Sequence, residues 1–211
     1  MKADLTDITV VLDRSGSMET CRTDAEGGLN AFVDDQKTKP GDARFTLIQF
    51  DTEYEFVHRA IPLRDVPKCT LTPRGRTALL DAIGRGIAET GERLKAMTED
   101  QRPGLVVMVI VTDGQENSSR EFTKLQIRAM IERQQTAYKW QFTFLGANQD
   151  AFAEAAQLGL PQAVVANYAR PAAAFKCASD NVSRMRTQCA AGSSVKNEYT
   201  SAERAKMTSK T

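Results

Sequence analysis

Two hydrophobic periodicities alternate along the chain. Ile8 to Leu12 is a short, nearly unbroken apolar run rich in β-branched residues, and Leu105 to Val111 is a stronger one. Strands apolar on both faces belong inside a parallel sheet covered by helices. Between them Ala25, Leu29, Phe32 and Val33 recur at helical spacing, as do Leu79, Leu80, Ile83, Ile87, Leu94 and Met97. Gly84, Gly86 and Gly91 each weaken that second helix by up to roughly 1 kcal/mol, which points to close packing on the sheet. Arg44 to Asp51 reads as another strand. Tyr54 to Ile61 follows too soon for a helical crossover, so the two are expected to form a hairpin whose second member is an antiparallel edge.

Beyond Val111 the pattern predicts a helix from about Glu121 to Gln135, a strand Gln141 to Leu145, a short helix Asp150 to Leu158, a strand Ala163 to Ala166 and a last helix within Pro171 to Ala190. Ser118 and Glu121 fit a capping box for the first of these helices, and Asn148 or Asp150 could cap the next. The alternation implies an α/β fold: a doubly wound, mostly parallel central sheet with one antiparallel edge strand and helices on both faces. The binding crevice of such a sheet lies at the carboxyl ends of its strands, where the strand order reverses. One domain over residues 1–191 is expected, followed by a polar tail, 192–211, rich in Ser, Thr, Lys and Glu. That tail is read as frayed, or at most as a short helix around Ser201 to Met207.

Composition narrows the function classes. With 211 residues and 41% hydrophobic content, one well-developed core is the default. Basic and acidic residues nearly cancel, 28 against 27, so no global field points to nucleic acid or a membrane. The balance is uneven: beyond Asn167, eight Lys or Arg stand against three acids, a net +5. The start of the chain lacks the apolar core of a secretory signal, and no run approaches the ~18 residues needed to cross a bilayer. Cys21, Cys69, Cys177 and Cys189 are scattered without a C-x-x-C pair, which favours reduced thiols and a cytoplasmic location over a zinc ribbon.

The chemistry begins where the first apolar run ends, in Asp13, Ser15 and Ser17, three small oxygen donors at alternate positions. A lone D-x-S-x-S string also arises in ordinary polar turns. Asp113 follows the strongest strand, however, and Thr77 opens the long helix after Pro73-Arg74-Gly75-Arg76. In a parallel sheet these loops reach the same rim, so two carboxylates and three hydroxyls are expected to converge. An all-oxygen set without His or Cys suits Mg²⁺ or Mn²⁺ and disfavours Zn²⁺ or Cu²⁺. The carboxylates supply −2 against the ion's +2, which leaves the ion electrophilic toward an incoming carboxylate.

These residues resemble a von Willebrand factor type A domain with a metal-ion-dependent adhesion site, which in that family is a D-x-S-x-S motif, a distant Thr and a distant Asp. Asp13-Arg14-Ser15-Gly16-Ser17 matches the first element residue for residue, Thr77 in Gly75-Arg-Thr-Ala-Leu-Leu-Asp81 the second, and Asp113 in Val111-Thr-Asp-Gly-Gln-Glu-Asn-Ser118 the third. Many relatives carry Gly where Arg76 stands. The resemblance covers roughly Thr6 to Ala190 and implies metal-dependent protein binding rather than catalysis, in some relatives as an adaptor for an ATPase machine. The T-D-G-x-E-N-S form and the short Gly146-Ala-Asn-Gln-Asp150 segment resemble stand-alone intracellular bacterial or phage members.

Around the expected site Arg14, Arg74 and Arg76 would supply a basic rim, or stand as solvated loop charges. Glu116 and Asn117 either bind water near the ion or shape the loop, the latter being favoured. Asp81 could orient the Thr77 hydroxyl or remain a surface acid, and Asp51 is read as a turn residue. His58, the single histidine, lies on the expected edge strand, where packing or exposure outweighs acid–base work. A competing enzymatic reading makes Asp13 a phosphoryl-accepting nucleophile, as in haloacid-dehalogenase-like phosphatases. That family needs a second Asp two residues later, where this chain has Ser15. A third reading is an assembly protein in which the metal only stiffens the loops. Dinucleotide and P-loop motifs are absent.

Overall fold

The computed structural model describes residues 1–147 and 151–209. Among these, six strands and six α-helices alternate: β1 (Lys2–Asp13), α1 (Arg22–Lys37), β2 (Asp42–Phe50), β3 (Tyr54–Pro62), α2 (Leu79–Lys95), β4 (Pro103–Thr112), α3 (Lys124–Tyr138), β5 (Gln141–Gly146), α4 (Ala151–Gln157), β6 (Val165–Asn167), α5 (Pro171–Ala190) and α6 (Ser201–Thr208). The strands form one sheet in the order β3-β2-β1-β4-β5-β6. All neighbours are parallel except β2 and β3, which form the antiparallel hairpin at one edge.

The two-sided apolar runs have a direct structural reading. In β1, Ile8, Val10 and Leu12 face one core and Val11 the other; in β4, Leu105, Val107, Val109 and Val111 face the first core, and Val106, Met108 and Ile110 the second. Helices α1, α5 and α6 cover the first face, and α2, α3 and α4 the second. Such alternation follows from the period of two along a strand. Of the three glycines of α2 expected to pack on the sheet, one does so, a second packs on the loop before α3, and the third does neither. A methyl at Gly86 would collide with Ile48, one at Gly84 would strike the Phe122 ring, and Gly91 faces open space.

Several boundaries differ from expectation. The box expected at Ser118 and Glu121 does not cap α3; Thr123 does, with its side chain accepting from the Gln126 amide and Gln126 reaching back. The cause lies upstream. The Asp81 carboxylate accepts the amides of Arg120, Glu121 and Phe122, holding them in a bend outside the helix so that helical bonding starts later. The caps expected at Asn148 or Asp150 lie outside the described residues.

The segment after Ala190, expected as a frayed tail or short helix, forms α6 and anchors it. Tyr199 and Met207 are buried in the first core, and a Thr200–Glu203 capping box opens the helix. Arg204 donates to the carbonyls of Gln162, Ala163 and Val165, so α6 seals the end of the sheet beside β6. The C-terminal basic excess is largely spent on internal contacts. Arg170 pairs with Asp24, Lys176 with Asp180 and Arg184 with Glu203, while the buried Arg186 donates to the carbonyls of Gln36, Pro40 and Gly41. Polar composition hid this segment because two apolar anchors carry its docking.

Met207→Ala is expected to cost about 2–5 kcal/mol, the usual range for truncating a fully buried methionine. Urea unfolding checks this, and a loss below about 0.5 kcal/mol would show α6 to be only loosely attached.

Candidate metal-binding rim

Pairing of β1 with β4 builds the site. Leu12 and Val111 are register partners, so the next residues, Asp13 and Thr112, emerge side by side at the carboxyl ends of the strands. The order reverses here: the chain runs from β1 outward to β3, then returns to β4 and runs outward to β6. This is the topological switch point at which open α/β sheets present their ligand crevice.

Asp13 is fully buried. Its Oδ1 accepts the Ser15 amide at 2.7 Å and its Oδ2 accepts the Thr112 hydroxyl at 2.6 Å. Ser15 Oγ lies 3.0 Å from Ser17 Oγ, and Ser17 Oγ donates to Asp113 Oδ1 at 2.7 Å. Thr77 arrives from the loop before α2. A Cβ added at Gly114 would stand 3.1 Å from Thr77 Oγ1 and 3.8 Å from Ser17 Oγ, so the absence of a side chain there lets the third loop close on the first two. All five expected donors therefore meet on one rim.

The loops are joined through their backbones. The Gly16 amide donates to Gly75 O at 3.2 Å, the Arg74 amide to Arg14 O at 2.8 Å, and the Asn117 amide to Thr77 O at 3.0 Å. Gly75 adopts φ +67°, and a Cβ there would lie 2.7 Å from Thr52 Oγ1, so only glycine fits without strain.

The charged neighbours divide. Arg14 does not face the rim: it is buried, its Nε bonded to Asp51 and its Nη1 to Glu55 at 2.7 Å. Its amide continues the β1–β2 ladder to Phe50 O, which aims the side chain at the hairpin. Arg74 also bonds Asp51. Arg76 is exposed and has no ion-pair partner among the described residues. Glu116 shapes its loop, accepting from the amides of Leu80, Ser118 and Ser119 and from the Ser119 hydroxyl. Asn117 Oδ1 accepts the Thr77 amide at 3.0 Å. Asp81 is neither a surface acid nor a partner of the Thr77 hydroxyl; it organises residues 120–122 as described above. His58 is half-buried, its Nε2 3.9 Å from Cys69 Sγ, and burial lowers its pKa.

Two contributors escaped the sequence reading. Thr112 holds Asp13 through its hydroxyl, and the buried Tyr168 hydroxyl donates to Thr112 O at 3.1 Å. Thr112 was legible in principle as the residue before Asp113; Tyr168 has no local signal.

The electrostatics favour a cation. Burial pushes the Asp13 carboxyl up to about 6, against the hydrogen bonds from Thr112 and Ser15, and nearby Asp113 adds to the rise. Asp113 is also raised, chiefly by burial. Octahedral Mg²⁺ with bonds near 2.1 Å requires adjacent ligand oxygens about 2.9 Å apart, and the Ser15–Ser17 and Ser17–Asp113 separations of 3.0 and 2.7 Å fit that spacing. Among the described residues no group of three or more His, Cys, Asp or Glu side chains forms a metal site, so any ion here must rely on hydroxyls.

The fold and rim define a class: a doubly wound α/β domain whose switch-point loops present small oxygen donors. A family model of the von Willebrand factor type A domain matches residues 7–172, and the chain belongs to that family. Such domains are commonly metal-dependent protein-interaction modules. No curated protein matches the sequence. Among solved structures, proximal thread matrix protein 1 from the mussel byssus is similar at 16% identity and TM-score 0.60, covering 88% of this chain and 46% of that one. A von Willebrand factor type A protein from Catenulispora acidiphila is similar at 16% identity and TM-score 0.56, covering 85% and 42%. The manganese-loaded TRAP protein of Plasmodium vivax is similar at 15% identity and TM-score 0.54, covering 76% and 65%. At these identities the likeness is one of fold, and the chain spans about half the length of the first two.

Because the folded state raises the Asp13 pKa from 3.8 to about 6, it binds more protons than the unfolded state between those values, and stability falls as pH rises through that window. The loss amounts to about 3 kcal/mol at 1.36 kcal/mol per pH unit. In EDTA, Asp13→Asn is therefore expected to be more stable than the wild type at pH 7.5, the gap closing near pH 4. Denaturant titrations at both pH values test this; a gap independent of pH would contradict it.

Proposed function

We propose that the chain is a non-catalytic binding module in which Asp13, Ser15, Ser17, Thr77 and Asp113 hold Mg²⁺ or Mn²⁺ and an acidic group of a protein partner completes the site. The observation that carries this reading is the run of close oxygens from Ser15 through Ser17 to Asp113, tied to the Asp13 carboxylate through the Ser15 amide. The ion supplies a Lewis acid at the rim. Asp13 and Asp113 match its charge, and the three hydroxyls add lone pairs without further negative charge, so attraction for a partner carboxylate survives. Thr112 fixes the carboxylate of Asp13, and Asn117 fixes the backbone of Thr77. The exposed guanidinium of Arg76 adds a second attraction for an acidic segment.

The manganese-loaded state of the TRAP protein supports a divalent ion in this fold. Four free cysteines are consistent with a cytoplasmic module, for which an ATPase complex is one fitting partner. The phosphohydrolase reading finds less support. Ser15 occupies the position two residues after Asp13 where that chemistry needs a second acid.

Calorimetry is expected to show Mg²⁺ or Mn²⁺ binding that disappears in Asp13→Ala, and unchanged affinity would remove the metal assignment. A pull-down run with and without EDTA separates capture through the ion from a merely structural metal, since partners retained equally in both would exclude the former. Arg76→Ala should slow association and reduce its salt dependence, read by surface-binding kinetics at two ionic strengths. Phosphatase turnover abolished in Asp13→Asn would overturn the non-catalytic reading.

A further inference from the structure

We propose that Asp51, which is not among the five donors, is a positioning residue that clamps the two loops carrying Ser15, Ser17 and Thr77, so that its loss weakens the cation affinity of the rim. The inference rests on the reading of that rim as a cation site.

Asp51 follows β2 and is buried. One carboxylate oxygen, Oδ2, accepts both Arg14 Nε and Arg74 Nε, each at 2.8 Å. The other, Oδ1, accepts the Glu53 amide at 2.9 Å, and the backbone carbonyl accepts the Ala78 amide at 2.7 Å. Arg14 stands between Asp13 and Ser15, and Ala78 directly follows Thr77. A single residue thus ties the first loop, the hairpin turn and the loop before α2 at one point. The two backbone bonds from Gly16 to Gly75 and from Arg74 to Arg14 run alongside and cannot form if these loops separate.

Two physical effects follow, both in the same direction. Hydroxyl ligands carry no net charge, so three of the five donors attract an ion weakly unless they are already in place; a clamp removes that ordering cost before binding. The second effect is charge. Arg14 is flanked in sequence by two ligands, yet Asp51 and Glu55 draw its guanidinium toward the hairpin. Without the Asp51 carboxylate, Arg14 and Arg74 lose their shared anion and their positive charge acts against an incoming +2 ion. A turn residue with no link to the site would have neither effect.

The test uses the full chain, with Mn²⁺ as the probe, followed by calorimetry and by the electron paramagnetic resonance spectrum of the bound ion. Asp51→Asn is expected to weaken Mn²⁺ binding about 10–100-fold, the range found when residues supporting metal ligands are replaced, and to broaden the spectrum. Asp51→Glu, which keeps the charge, should recover part of the affinity. Arg74→Ala removes one tie to Asp51 but also one repelling charge, so it should lose less, and it guards against misfolding of the first variant because the Arg74 side chain is 59% exposed. Melting in EDTA, where the ion plays no part, should match the wild type for Arg74→Ala. Wild-type Mn²⁺ affinity in both Asp51→Asn and Arg74→Ala would overturn the clamp while Asp13→Ala, if it abolished binding, left the cation site standing. A wild type that takes up no Mn²⁺ would remove the cation reading and this inference with it.

Discussion

Burial of the Asp13 carboxylate at the junction of β1 and β4 is the constraint on which the rest of the molecule turns. The register that sets Leu12 against Val111 leaves Asp13 beside Thr112, with apolar core on both sides and no ion-pair partner among the described residues. A carboxylate taken out of water in that way is costly unless its lone pairs are met. The Thr112 hydroxyl and the Ser15 amide meet two of them, and the raised pKa records the part they leave. A divalent cation would relieve that remainder, and this is the physical ground of the proposed cation site.

Everything around Asp13 keeps neighbouring groups from drifting. Side-chain carboxylates that might have faced solvent are turned inward: Asp81 holds residues 120–122, Glu116 spans the start of α2 and the Ser118–Ser119 turn, and Asp51 gathers two arginines. Surface ion pairs contribute little to stability, but these carboxylates accept from backbone amides and, at Asp51, from the buried Arg14 guanidinium, where geometry is enforced. The result is a rim with far less free charge than its composition implies. Of the three arginines expected as a basic rim, Arg14, Arg74 and Arg76, only Arg76 is exposed without an ion-pair partner among the described residues.

Fold and site answer to different kinds of sequence information. Structures sharing only 15–16% identity with this chain still superpose over most of it, because a parallel sheet between helices asks for apolar runs of the right period and little more. The rim asks for particular atoms. At Gly114 a side chain would crowd the Thr77 hydroxyl, and Gly75 adopts φ +67° where its carbonyl meets the Gly16 amide.

The chain's own pattern determined the order of strands and helices, the antiparallel hairpin and the five oxygen donors, because each is local: period, strand-end polarity, and short motifs with small side chains. Tertiary structure decided which way the long side chains turned. Arg14 and Asp51 are 37 residues apart and Asp81 reaches residues 39 to 41 positions away, so nothing near them in sequence could announce those bonds. It also decided the fate of the C-terminal segment, whose polar composition reads as a tail until Tyr199 and Met207 find a core assembled from the start and middle of the chain. Periodicity encodes which face is buried; only the folded packing determines what each buried polar group meets there.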